Sequence, residues 1–185
     1  MDLQLVRFRI KGQTALLQHN PEKTMGAGGP AALGRKKIPT PAEEAEAGTY
    51  RLPSGQLYVG ALAFRSALLA ASKGKRVGKM AAKGIVAGAV LPEGEFCPLE
   101  HPETGEPIST FEIHTCRAVV MQRGIMRSRP KVLPWGCVLA LMVDVDAIDR
   151  QVIEDLLTEA GTRIGVGDFR PERGGIYGRF SVSRA

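Results

Sequence analysis

The sequence predicts an α+β fold of ferredoxin-like or RRM-like type: an antiparallel sheet with two helices on one face, a long insertion after the first strand and a basic hairpin. Three observations lead there. Apolar residues alternate with period two near both ends of the 185-residue chain. Two stretches of helical apolar spacing interrupt that alternation, each followed by a glycine. The resulting order is strand, helix, strands, helix, strand, and it is read as one domain over residues 1–185.

Each element has its own reason. In "LQLVRFRI" Val6, Phe8 and Ile10 share one face and Leu3, Leu5, Arg7 and Arg9 the other, giving a first strand with an apolar and a mixed, basic side. From about residue 18 to 50 the pattern breaks at "HNP", "GAGGP" and "IPTP", then turns acidic in "AEEAEA"; this is the insertion, of a length that is usually functional or disordered. In "GQLYVGALAFRSALLAAS", Leu57 and Val59 mark a short strand. Ala61 to Ser72 reads as a helix with Leu62, Leu68 and Leu69 as its stripe and Gly74 as its stop. "GIVAGAV" and "FEIHTCRAVVMQ" are strand-like, the second with Ile113, Thr115, Arg117 and Val119 on one side. "RGIMRSRPKVLPWGCVLALMVDVD" predicts a strand, a proline-bounded turn and a return strand from Cys137 to Val145. Asp146 is expected to cap a second helix with Ile148, Val152, Ile153, Leu156 and Leu157 on its apolar face and Gly161 at its end. "IYGRFSVS" is the last strand, with Tyr177 and Phe180 on opposite faces.

Composition narrows the class. Hydrophobic residues make up 44% of the chain and aromatics only 5%, so the core should be aliphatic, with Trp135 in it. The balance of 25 Lys and Arg against 19 Asp and Glu gives a net charge of +6, which favours an anionic partner. The charge is segregated: no acid occurs from Arg51 to Pro92 or from Arg117 to Val143. No apolar run approaches the roughly 20 residues that span a bilayer, and "MDLQLVRFRI" lacks the pattern of a signal peptide. The expectation is a cytoplasmic protein with no membrane association. Cys97, Cys116 and Cys137 are odd in number and without a CxxC pair, so reduced thiols in or near the core are expected rather than disulfides or zinc. No cofactor and no metal is expected.

Three segments carry the candidate chemistry. "KGKRVGKMAAKG" holds Lys73, Lys75, Arg76, Lys79 and Lys83 with no local acid and with interspersed glycines, which suits either a solvated loop or a tract that follows a phosphate backbone. "RGIMRSRPK" places Arg123, Arg127, Arg129 and Lys131 on a hairpin that is either a plain basic hairpin or one that projects toward a neighbouring subunit or a nucleic-acid strand. "GVGDFRPERGG" is not a Walker loop, having no GK[ST], and it does not follow the strand-to-helix order of a dinucleotide fingerprint. Its Gly165 and Gly167 read either as a tight connection needing positive φ or as a place where backbone amides approach a phosphate or base beside Arg170 and Arg173. Catalytic patterns are absent: no HExxH, no nucleophile elbow and no nuclease-like carboxylate pair appears.

The glycine-rich "GVGDFRPERGGIYG" after the second helix resembles the C-terminal glycine-rich loop of the RAMP superfamily, the RRM-like RNA-binding proteins of CRISPR systems. The wider order of "LQHNP", "KGK", "GIMRSRPKVLPW" and "GVGDFRP…GRF" also resembles a set of small phage and mobile-element proteins. Closest in order are the backbone subunits of CRISPR effector complexes. The resemblance implies a non-enzymatic protein that binds single-stranded RNA or DNA, RNA favoured, and assembles side by side into an oligomer or filament with itself and with other effector subunits. Some RAMP members cleave RNA with a histidine general base, which marks His19 for an endonuclease alternative. A third reading is a phage or mobile-element protein whose basic tracts meet an acidic protein. The insertion, Glu22 to Gly48, would clamp a strand or lock onto the next protomer. Few aromatics are present to stack bases, so sequence-tolerant, backbone-dominated binding is expected.

Overall fold

The computed structural model describes residues 2–21, 39–120 and 123–185, with the side chains of 119, 120 and 123 outside that description. The chain is α+β, with antiparallel strand pairing throughout the described sheets. Strand β1 (Leu3–Gly12) alternates as its sequence demands: Phe8 and Ile10 are buried, while Leu3, Leu5, Arg7 and Arg9 are exposed. It pairs on one side with β10 (Gly136–Asp144) and on the other with β11 (Phe180–Arg184), and β10 pairs in turn with β6 (Val90–Pro92). The four-stranded sheet therefore runs β11-β1-β10-β6.

Register sorts its two faces. Phe8 lies opposite Leu139 and Val6 opposite Leu141, on the side that meets two helices, α2 (Ala61–Ala71) and α4 (Arg150–Glu159). Phe64 and Leu68 of α2 and Ile153, Leu156 and Leu157 of α4 close one core with the strand residues. Phe64 and Phe180 meet edge to face at 5.4 Å. On the opposite face Leu5, Met142 and Leu91 form a row across three strands, beside Arg7 and Arg9.

A second sheet, β2-β9-β8, holds β2 (Leu16–Leu17), β8 (Glu112–Val120) and β9 (Arg123–Val132). Helix α1 (Pro41–Ala47) packs on it; Thr40 caps this helix reciprocally with Glu43, and Glu44 accepts from Arg127 Nη1 at 2.8 Å and Ser128 N at 3.0 Å. So the end of the expected insertion, residues 39–50, is built into the fold. Its stretch from 22 to 38 lies outside the described residues. Two small ladders complete the chain: β3 (Tyr58–Gly60) with β7 (Phe96–Pro98), and β4 (Arg76–Val77) with β5 (Met80–Ala81).

Several sequence expectations need correction. "GIVAGAV" is mostly helix α3 (Ala82–Ala89), not strand, because Ala82, Val86 and Ala89 recur at helical spacing on the buried face and only Val90 enters β6. The cap of α4 is Asp149, whose side chain accepts from Gln151 N at 2.6 Å; Asp146 lies in the preceding turn. Helical winding does not stop at Gly161, where Phe180 packs against the backbone, but continues through a π turn, Ala160–Ile164, to Gly165 at φ +72°. The last strand begins at Phe180, so Tyr177 precedes it and packs on His114 at 5.4 Å between centroids. Trp135 is fully buried, its indole donating to Thr14 O at 2.8 Å. Cys97 and Cys137 are buried, and Cys116 is half-buried. Among the described residues, no helix is long and apolar enough to cross a membrane.

Candidate nucleic-acid interface

The residues singled out in sequence divide into three groups in space. The lysine tract extends from the C-terminal end of α2. Gly78, at φ +59°, makes the tight turn between β4 and β5, an arrangement that a two-residue hairpin requires. Around this turn Lys73, Arg76, Lys79 and Lys83 are exposed and have no carboxylate partner among the described residues. Lys75 differs: it is paired with Glu159 of α4, which also faces Arg163.

The arginines of β9 are committed to the fold instead. Arg127 pairs with Glu44 at 2.8 Å and Lys131 with Glu112 at 3.0 Å. Arg129 is buried; its Nε meets Asp168 Oδ2 at 2.5 Å and its guanidinium lies over the Phe169 ring, 4.7 Å from the centroid. Arg123 opens β9, with its side chain outside the described part of the chain. The hairpin thus spends most of its described cations on the chain's own acids.

The glycine-rich segment joins the two sheets. Gly167, at φ +80°, lies so near β2 that an added Cβ would stand 2.5 Å from Leu17 O, and the same carbonyl accepts from Asp168 N at 2.8 Å. Gly178 N donates to Ala15 O at 2.8 Å, and Val166 N to Gly178 O at 3.0 Å. Gly165 is buried and its amide donates to Ala160 O at 2.8 Å. These close approaches are to the chain's own backbone. Arg170 pairs with Glu172 at 2.7 Å and donates to Gly167 O at 3.3 Å. Arg173 is exposed, with no carboxylate partner among the described residues.

The outer side of this segment borders two cavities. The larger, about 970 Å³, is walled by Tyr50, Tyr58 and Phe96, by Glu93 and Glu95, by the first turn of α2 and by Gly167, Asp168 and Arg170, with His19 on its lining. The smaller, about 290 Å³, continues along α2 past Ser66 and Ala67 to Arg173. Its lining shares Ala63, Gly167 and Arg170 with the larger one. The far end of α2 carries the free lysines, about 16 Å along the helix axis from the larger cleft.

Sequence reasoning missed the aromatic wall of that cleft. Tyr50 and Tyr58 are 5.7 Å apart between centroids and Tyr58 and Phe96 are 4.6 Å apart. Tyr50 and Tyr58 are joined by a local turn, Tyr58 N donating to Tyr50 O at 3.1 Å, but Phe96 reaches them only when β3 pairs with β7, a pairing that no local pattern announces. Arg7 and Arg9, read as one basic strand face, are exposed on the sheet face away from the helices. Among the described residues, no cluster of three or more His, Cys, Asp or Glu could hold a metal ion. No protein-family model matches the chain, and no curated protein matches it significantly.

Proposed function

We propose that this chain binds single-stranded nucleic acid, RNA favoured, through its phosphate backbone, and that it assembles side by side as a non-enzymatic, RAMP-like backbone subunit of ferredoxin-like, RRM-like build. The observation that carries the reading is the hairpin at the end of α2: four exposed cations with no carboxylate partner among the described residues, on a chain of net charge +6. Sheet order supports the fold assignment. Taken in chain order, the four strands of the main sheet lie as fourth, first, third and second, with α2 between the first two and α4 between the last two.

Self-association is supported by the exposed apolar residues Leu3, Leu5 and Leu91 on the open sheet face. Replacing residues 22–38 by a short Gly-Ser linker tests whether that segment bridges protomers. Light scattering on long single strands should then show smaller particles; unchanged sizes remove the segment from the interface.

The primary test is binding of single-stranded RNA, single-stranded DNA and duplex, by gel shift across a salt series. Single strands should bind with an affinity that falls linearly with log salt, RNA ahead of DNA. Salt-independent binding, or binding to an acidic protein alone, would overturn the reading.

One observation favours an endonuclease as the second reading: His19 lines the same cleft as Asp168 and Arg170. Cleavage of RNA that is lost in His19→Ala, with RNA binding retained, would establish it.

A further inference from the structure

We propose that the 970 Å³ cleft takes up one unstacked nucleobase of a bound single strand, its face on the exposed Phe96 ring and its phosphates outside. The inference rests on the single-strand reading and adds to it a site for the base. The cleft's size falls at the upper end of small-ligand pockets, about 300–1,000 Å³, and admits a base with its sugar.

The wall offers one open ring, Phe96, which Tyr58 meets edge to face at 62° between planes. Only ten of the 185 residues are aromatic, three of them line this cleft, and Phe96 is 49% exposed there. With Tyr58 and Phe96 only 4.6 Å apart and edge to face, no gap remains between the rings to cage an ammonium or alkyl group, and the exposed Phe96 ring, braced by Tyr58, is the stacking surface.

Charge decides which part of a nucleotide enters. Glu93 and Glu95 line the cleft with no cation partner among the described residues, whereas its arginine, Arg170, is held by Glu172. A phosphate beside two unpaired carboxylates is repelled, while an uncharged base is not. The phosphates then lie outside, toward Arg173 and the free lysines beyond it along α2.

Hydrogen bonding decides how the base is read. The Gln18 amide donates to Tyr58 O at 2.9 Å and accepts from Tyr50 N at 3.0 Å, and Asp168 is spent on Arg129. With these groups occupied inside the fold, neither Gln18 nor Asp168 reads the edge of a base, and stacking on Phe96 is the principal contact.

The test compares the full chain's affinity for an oligothymidylate and for an all-abasic oligomer of the same length, by fluorescence anisotropy at fixed salt. Both probes carry the same phosphates. Stacking of one base predicts a preference of about 5- to 160-fold for the probe with bases. Phe96→Ala should abolish most of that preference with unchanged salt slope and melting temperature, and Phe96→Trp should keep it. Equal wild-type affinities, or a preference that survives Phe96→Ala, would overturn the base site and leave the electrostatic interface standing. Failure to bind either probe at low salt would overturn both.

Discussion

Gly167→Ala separates a glycine that serves the fold from one that serves a ligand. The residue sits at φ +80°, where an L side chain costs about 1–2 kcal/mol. The new Cβ would also stand 2.5 Å from Leu17 O and 2.8 Å from Leu16 Cδ1. Leucine can adjust its side chain. The carbonyl cannot retreat without stretching the bond it accepts from Asp168 N, which adds about 1 kcal/mol. The sum is about 2–3 kcal/mol, and at about 2–4 °C per kcal/mol for a chain of this length the melting temperature should fall by about 4–12 °C. Gly174 is the control: it has φ +78° but nothing within 4 Å of an added Cβ, so only the conformational cost of about 1–2 kcal/mol applies. Thermal melts and urea titrations of the two variants, read side by side, isolate the close approach. If Gly167→Ala is no more destabilising than Gly174→Ala, the packing argument fails. If Gly167→Ala stays folded yet loses affinity for a single strand per folded molecule, the glycine serves a ligand as well.

The joint neutralisation of Lys73, Arg76, Lys79 and Lys83 to alanine should weaken binding to all sequences alike and flatten the salt dependence by about 0.7 log units for each phosphate no longer neutralised. Lys75→Ala, which removes a cation already paired with Glu159, should change that slope least, and an unchanged slope in the fourfold variant would leave the tract as solvated surface. Arg129→Ala should cost about 2–3 kcal/mol, reduced from the full value of a buried pair because Asp168 is 33% exposed. Arg129→Lys should recover only part of this, since an ammonium does not reproduce the planar contact with Phe169; a wild-type melting temperature for Arg129→Ala would refute the coupling. A hydrogen bond from the Cys137 thiol to Cys97, together with burial, holds that thiol well above the usual thiol range. The unfolded chain releases that proton near pH 8.5 while the folded chain keeps it, so this group's contribution is present below about pH 8.5 and stability falls above it. In the native state a thiol reagent should titrate Cys116 alone, and rapid labelling of two or three thiols would contradict the burial of Cys97 and Cys137.

What the sequence disclosed depended on how local the cause was. The faces of β1 follow from alternation alone, because Val6, Phe8 and Ile10 must turn to one side whatever they pair with. "GIVAGAV" misleads because its β-branched residues favour a strand while the buried positions of the helix that begins two residues before it, Ala82, Val86 and Ala89, follow helical spacing; the small alanines carry the signal and weigh little in a hydrophobic pattern. Helix α1 was legible in Thr40 and Glu43, three residues apart with a proline at 41, although the acidic run after them reads as loop. The fate of the basic hairpin was not legible, since Glu44 lies 83 positions from Arg127 and Asp168 lies 39 from Arg129. Charge segregation along the chain says nothing about charge pairing in space.

Pairing in space also decides what the glycine-rich segment does for the candidate site. Its inner side is bound to the chain at three places: Asp168 and Phe169 hold Arg129 of β9, Asp168 N is bonded to Leu17 of β2, and Gly178 N is bonded to Ala15. Its outer side is the wall of the cleft, through Gly167, Asp168 and Arg170. A tight connection and a cleft wall are therefore two sides of one strip of backbone. Glycine is required by the inner side, where Leu17 O leaves no room for a Cβ. Arg170 and Arg173, outside that inner contact, are the residues of the segment whose loss can alter binding without loosening the union of the two sheets.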